Sequence, residues 1–179
     1  MGLSGWTVEC GVVTDGGGYA FFQEHPIDLS STLSQEFTLP ALVLELSFDV
    51  QMSAVPGGAY DPFAWPDAFT ASLLDPLTFD PLISNQFPYT DFFYLDNTGY
   101  VETVATVSGN TVSLDVSGLA GMDAYIVFDL WGSEDGMLTS VSLDNVNVSV
   151  VPAPGGLVLG LIGMGAVGIL RRSRIEKVV

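Results

Sequence analysis

Lysine and arginine are absent from the first 170 of the 179 residues; all four stand at the end, as Arg171, Arg172, Arg174 and Lys177. The same 170 residues carry 20 of the 21 acidic side chains. Affinity for nucleic acid comes largely from basic side chains neutralising phosphates, so a body of this charge excludes nucleic-acid binding and disfavours nucleotide substrates. No phosphate-binding glycine pattern follows a predicted strand, and Gly16-Gly17-Gly18 reads as a turn. Cysteine and histidine occur once each, as Cys10 and His25. That count excludes an internal disulfide and a zinc site built from Cys and His. A Cys–His catalytic pair has only these two members to draw on, and nothing in the sequence places them together. Cys10 reads as a small buried apolar group, and His25, before Pro26, as a loop residue. No Ser–His–Asp arrangement is identifiable, and Gly-x-Ser-x-Gly is missing.

Apolar residues, at 48 %, are too many for a disordered polar chain. Their spacing is mostly two. In Leu42–Gln51, Leu42, Leu44, Leu46, Phe48 and Val50 point one way, and Glu45, Ser47, Asp49 and Gln51 the other, as in a strand with one wet face. Further strands are expected at Trp6–Glu9, Tyr19–Phe22, Gln35–Thr38, Phe69–Leu74, Phe92–Leu95, Tyr100–Val107, Thr111–Val116, Ala124–Trp131 and Leu138–Val150. Turn clusters separate them, and Gly109-Asn110 marks a tight hairpin. Many short strands without an amphipathic helix predict an all-β sandwich over residues 1–150. In the last strand Val141 and Leu143 fall in one phase and Val146, Val148 and Val150 in the other. A one-residue bulge near Asp144-Asn145 would produce the switch, but a twist or bend in a long edge strand is the preferred reading.

Between Ala54 and Asp91 lie six of the ten prolines and several aromatics, which predicts a long loop excursion. LLDP and TFDP look like two copies of one turn, each Asp accepting backbone hydrogen bonds before Pro. Tyr60, Trp65, Tyr89 and Tyr94 are candidates for an aromatic platform on which a sugar stacks; the competing reading is that they pack the loop onto a sheet. Paired carboxylates for glycoside hydrolysis carry little specificity here, because 20 acidic groups bring some pair close by chance. The acidic surface reads instead as a solvated shell.

The end of the chain has a different character. Pro154 to Leu170 is uncharged, and at about 1.5 Å per residue it spans roughly 25 Å as a helix, near the lower limit for crossing a bilayer core. A buried helix of the globular domain would need a polar face, and Gly155–Leu170 has none. A single transmembrane helix is therefore expected at 156–170, with Gly156 and Gly160 allowing close helix approach. The basic tail 171–179 would stay in the cytoplasm and the acidic domain outside. Pro152 and Pro154 hold the segment 151–155 extended just before it. MGLSGWTVEC shows neither a basic nor an apolar leader region, so the reading frame is expected to begin upstream.

The order Val151-Pro152-Ala153-Pro154, apolar helix, then Arg171, Arg172 and Arg174 resembles the PEP-CTERM sorting signal of bacterial surface proteins, with alanine where glutamate is usual. The resemblance implies export, passage through the inner membrane, recognition by an exosortase and delivery to the cell surface or matrix. GWTVE, SQEFTLPALVLELSFDVQ and TSVSLDNVNVSV resemble the jelly-roll domains, similar to carbohydrate-binding modules, that often precede such tails. That resemblance implies a non-catalytic polysaccharide binder. It also implies a structural calcium on Asp144, with Glu9 and backbone carbonyls as partners. The alternatives are a secreted glycan-active hydrolase and a membrane-anchored structural domain without a ligand.

Overall fold

The computed structural model describes residues 5–9, 12–15, 17–24, 30–42, 44–85 and 90–150. Cys10, His25, Tyr89, the sorting motif Val151–Pro154, the apolar segment and the basic cluster lie outside the described residues.

Thirteen strands are described: β1 (Thr7–Glu9), β2 (Val12–Asp15), β3 (Ala20–Gln23), β4 (Ser30–Thr38), β5 (Leu44–Tyr60), β6 (Ala68–Leu74), β7 (Pro81–Ile83), β8 (Asp91–Asp96), β9 (Val101–Thr103), β10 (Thr106–Ser108), β11 (Thr111–Asp115), β12 (Asp123–Trp131) and β13 (Asp135–Val150). They form two antiparallel sheets. The first runs β1-β4-β12-β6-β8-β9, with β7 also on β6; the second runs β10-β11-β5-β13-β3-β2. With β2–β3, β6 to β9 and β10–β11 each counted as one arm, the arms alternate between the sheets as in a jelly roll. Among the described residues no helix is long and apolar enough to cross a membrane.

The sequence's alternation produces this sandwich directly. Ala124, Ile126, Phe128 and Leu130 of β12 are buried, as are Leu44, Leu46, Phe48 and Val50 of β5, and the two inner faces share one core. Phe48 is its hub: its ring meets Phe92, Phe93 and Phe128 at centroid distances of 6.3, 5.7 and 5.2 Å, all edge-on. Edge-on pairs of this kind each add about 0.5–1.5 kcal/mol beyond area burial.

Four local departures from the sequence reading have physical causes. Leu42 stands before β5 and is 61 % exposed, so the inward row begins at Leu44. β5 does not stop at Val55-Pro56-Gly57-Gly58 but continues to Tyr60 against β13, which shortens the expected loop excursion. A Cβ on Gly58 would lie 2.4 Å from the Met137 carbonyl oxygen, so glycine there serves close strand approach rather than a turn. Tyr100–Val107 is not one strand: β9 pairs with β8 in the first sheet and β10 with β11 in the second. β2 and β7 were not expected at all. The remaining strands fall near their expected places, with β4 beginning earlier, at Ser30, and β13 at Asp135. Ser108 pairs with Thr111 around Gly109-Asn110, with Gly109 at φ +61°. The phase change in β13 is a bulge and not the bend of an edge strand: β13 lies between β5 and β3, and Asp144 pairs with Asp49 and Asn147 with Ser47, one extra residue, with Asn145 at φ +51°.

Candidate functional site

Trp65 is 84 % exposed, yet the loop that carries it is tied down along its length. Asp61 opens the loop as a turn, its Oδ1 accepting the Phe63 amide at 2.9 Å. Pro66 keeps Trp65 out of helical backbone. The Trp65 carbonyl accepts the Ser133 hydroxyl. Asp67, fully buried, then anchors the loop's end. Its Oδ1 accepts the Ser133 amide at 2.7 Å, and its Oδ2 accepts the Thr139 hydroxyl and the Asn97 side-chain amide, the latter at 3.3 Å. Its backbone carbonyl accepts the Asn97 amide at 2.9 Å. Nearby, Glu24 Oε2 accepts the Thr139 amide at 3.2 Å; burial, then the charges of Asp67 and Asp135, push the Glu24 carboxyl up against the opposing effect of that bond.

Asn97 belongs to the β8–β9 turn, so Asp67 fixes two neighbouring loops to each other. The turn is itself built on Asp96, whose Oδ1 accepts the amides of Thr98 and Tyr100 at 2.9 and 3.0 Å. The turn sets Tyr94 opposite Glu102 and brings the Tyr94 and Tyr100 rings to 6.2 Å. The Tyr100 hydroxyl donates to Glu102 Oε2 at 3.4 Å.

Trp65, Asp91, Tyr94, Tyr100 and Glu102 line a cleft of about 280 Å³. Burial, then the charge of Glu102, push the Asp91 carboxyl up; its own backbone amide and Asn85 oppose this. Burial, then the charges of Asp96 and Asp91, push the Tyr94 hydroxyl up. The Asn85 side chain donates to the Glu102 carbonyl at 3.2 Å. Aromatic faces beside acceptor oxygens, in a groove open to solvent, suit a polyhydroxylated ligand: rings cover its C–H faces and carboxylates accept its hydroxyl protons.

Two of the four platform residues, Trp65 and Tyr94, thus come together. Tyr60 does not join them; it ends β5, 73 % exposed, against Gly136. Tyr100, Asp91 and Glu102 were missed. The signal was present in Asp96-Asn97-Thr98-Gly99, a turn sequence; folding the chain back at it sets Glu102 opposite Tyr94. Of the paired turns, Asp75 does accept the amides of Leu77 and Thr78 at 2.8 and 3.0 Å, whereas the Asp80 amide donates to Thr78 Oγ1 at 3.3 Å.

Asp144 and Glu9 stand on different sheets and are not brought together. Asp144 faces Asp49 in a second cleft of about 370 Å³ with Tyr19, Gln51, Asn110 and Ser142. The Asp49 carboxylate is held below its usual range by the Thr111 hydroxyl and the Asn145 amide. Among the described residues no three His, Cys, Asp or Glu side chains are grouped to hold a metal ion.

Glu9 sits beside Thr32, whose hydroxyl donates to Asp129 on β12. Burial raises the Asp129 carboxyl and Glu9 adds to it, while the Thr32 bond opposes them. A raised folded-state value means the folded chain holds this proton more tightly than the unfolded chain, so stability falls as pH rises through that window. Asp129→Asn removes the ionisation and keeps the acceptor for Thr32. It is expected to raise the melting temperature near pH 7 by a few degrees, at about 2–4 °C per kcal/mol. The gain should vanish below the ordinary aspartate range, and melts across pH measure it.

The sequence matches no family model and no curated protein. Among solved structures, a CBM4 domain is similar at 13% identity and a TM-score of 0.45, covering 83% of this chain and 96% of that one. TmCBM61, solved with β-1,4-galactotriose, is similar at 16% identity and a TM-score of 0.44, covering 84% and 91%. The enzymatically active domain of bacteriophage CBA120 tailspike protein 4 is similar at 16% identity and a TM-score of 0.41, covering 83% of this chain and 20% of that one.

Proposed function

We propose that this chain is an exported, non-catalytic surface module that binds polysaccharide in the cleft of Trp65, Tyr94 and Tyr100. The observation that carries the reading is Trp65. A large indole standing in water contributes little to the fold, yet its loop is fixed by a buried carboxylate and a hydroxyl. Preorganised aromatic surface of this kind lowers the cost of binding, because little ordering remains to be done. The cleft is slightly smaller than the roughly 300 Å³ at which enclosed small-molecule pockets begin, as suits a segment of a longer chain lying across it. The export part of the reading is supported by the order of prolines, apolar run and arginines in residues 151–174, which we read as a PEP-CTERM-like signal for an exosortase.

A glycan hydrolase is the second reading. It is favoured by Asp91, whose raised carboxyl beside Glu102 is what a general acid needs. One preparation tests both. Protein recovered from the cell surface is expected to have a mass lacking the apolar helix and basic tail. Titrated with a panel of oligosaccharides, it is expected to show saturable quenching of tryptophan fluorescence and to release no new reducing ends. No saturable binding by any oligosaccharide removes the binding reading; reducing ends that disappear in Asp91→Asn establish the hydrolase.

A further inference from the structure

We infer that the glycan taken by the Trp65–Tyr94–Tyr100 cleft carries protonated amino groups, as a polymer of de-acetylated hexosamine does. The inference rests on the polysaccharide reading and names the ligand's chemistry.

The cleft is poor in donors. Its two carboxylates, Asp91 and Glu102, only accept. Asn85 Oδ1, buried next to them, finds no donor among the described residues. The Tyr100 hydroxyl already points its proton at Glu102. No lysine or arginine precedes Arg171, so among the described residues no cationic side chain supplies a donor to the site. A neutral sugar offers hydroxyls that both donate and accept, and among the lining side chains its acceptors meet the Trp65 indole N–H and the Tyr94 hydroxyl against two carboxylates that call for donors. A uronate or sulfated sugar would meet Asp91, Glu102 and 20 acidic groups in all. An ammonium group has three donors and no acceptor, which matches the lining.

The aromatic groups favour the same charge. The faces of Trp65, Tyr94 and Tyr100 carry the negative part of the ring quadrupole, and a cation within about 6 Å of such a ring is attracted to it. Three rings and two carboxylates around one groove form a site for an amine set on a stacked sugar. An ammonium between Asp91 and Glu102 also relieves the repulsion between them, which is part of what raises the Asp91 carboxyl.

The test compares three oligomers of one length by calorimetry: β-1,4-linked glucosamine, its N-acetylated counterpart, and a cello-oligosaccharide. The glucosamine oligomer is expected to bind at least about tenfold more tightly than either, and to lose most of that margin between about 50 mM and about 0.5 M salt. Asp91→Asn and Glu102→Gln, checked for unchanged melting, are expected to bring the three affinities together. Trp65→Ala, which leaves the net charge as it is, should weaken all of them. If the neutral oligomers bind as tightly as the amine, the inference fails and the polysaccharide reading stands. If none of the three binds, the polysaccharide reading fails with it. If the amine binds equally well to Trp65→Ala and to both carboxylate variants, attraction to the acidic surface alone explains it and the inference is overturned.

Discussion

Asp67→Ala is expected to cost about 3–5 kcal/mol of folding stability, enough to lower the urea midpoint by one molar or more for a domain of this size. The substitution removes the acceptor for the Ser133 amide, the Thr139 hydroxyl and the Asn97 side chain together. The Asn97 side chain keeps Asp135 Oδ2 as an acceptor at 2.6 Å, so the Ser133 amide and the buried Thr139 hydroxyl are the donors that lose their partner, at about 1–3 kcal/mol each. Among the described residues the carboxylate has no basic partner, and the donors that meet it are neutral. Asp67→Asn should therefore be the milder variant. It keeps one acceptor oxygen and turns an NH₂ toward two groups that donate, so roughly half the effect remains. Binding supplies a second readout. Asp67 joins the Trp65 loop to the β8–β9 turn that carries Tyr100, so Asp67→Ala should weaken oligosaccharide binding even at temperatures where it is fully folded. If it unfolds with the unsubstituted chain and binds alike, the network does not position the cleft.

The variants also mark where the sequence was readable. Alternation in Leu44–Val50, Thr111–Asp115 and Ala124–Leu130 is a local property, so the sandwich and its inner face could be read residue by residue. The bulge at Asp144-Asn145 was half legible: the phase change showed, but a bend produces the same pattern until the pairing with Asp49 and Ser47 is known. Pro56-Gly57-Gly58 misled because glycine and proline signal a turn when seen alone. Their use here depends on Met137, some eighty positions away. Trp65 and Tyr94 drew attention as aromatics in or beside a proline-rich stretch. Asp67 did not, since one aspartate among many acquires its role only when Ser133, Thr139 and Asn97 converge on it. Glu102 was hidden for a similar reason: the strand that holds it leaves the first sheet after Thr103, and the sequence offers no mark of that crossing.

Trp65→Ala is expected to lower oligosaccharide affinity about 30-fold or more while changing stability by no more than about 0.5 kcal/mol. The two halves of this prediction follow from the same exposure. An indole 84 % in water has little buried area to lose on truncation, and surface substitutions away from special features stay within about that limit. Its value lies in the complex, where a stacked aromatic anchor contributes about 2 kcal/mol or more, and 1.4 kcal/mol is a factor of ten. Phe63 provides the comparison. It sits two residues earlier in the same loop, is 88 % exposed, and does not line the cleft. If exposed aromatic surface were merely sticky, Phe63→Ala would weaken binding as much as Trp65→Ala. If the cleft is the site, Phe63→Ala leaves the affinity within about twofold. Equal losses in the two variants would move the binding surface away from Tyr94 and Tyr100 and onto the loop tip. Trp65 is held by contacts that the tip does not need: the Ser133 hydroxyl on its carbonyl and Asp67 two residues beyond. The same contacts stabilise the fold, so the comparison of Trp65→Ala with Phe63→Ala is what separates a positioned indole from one that merely rides on a rigid loop.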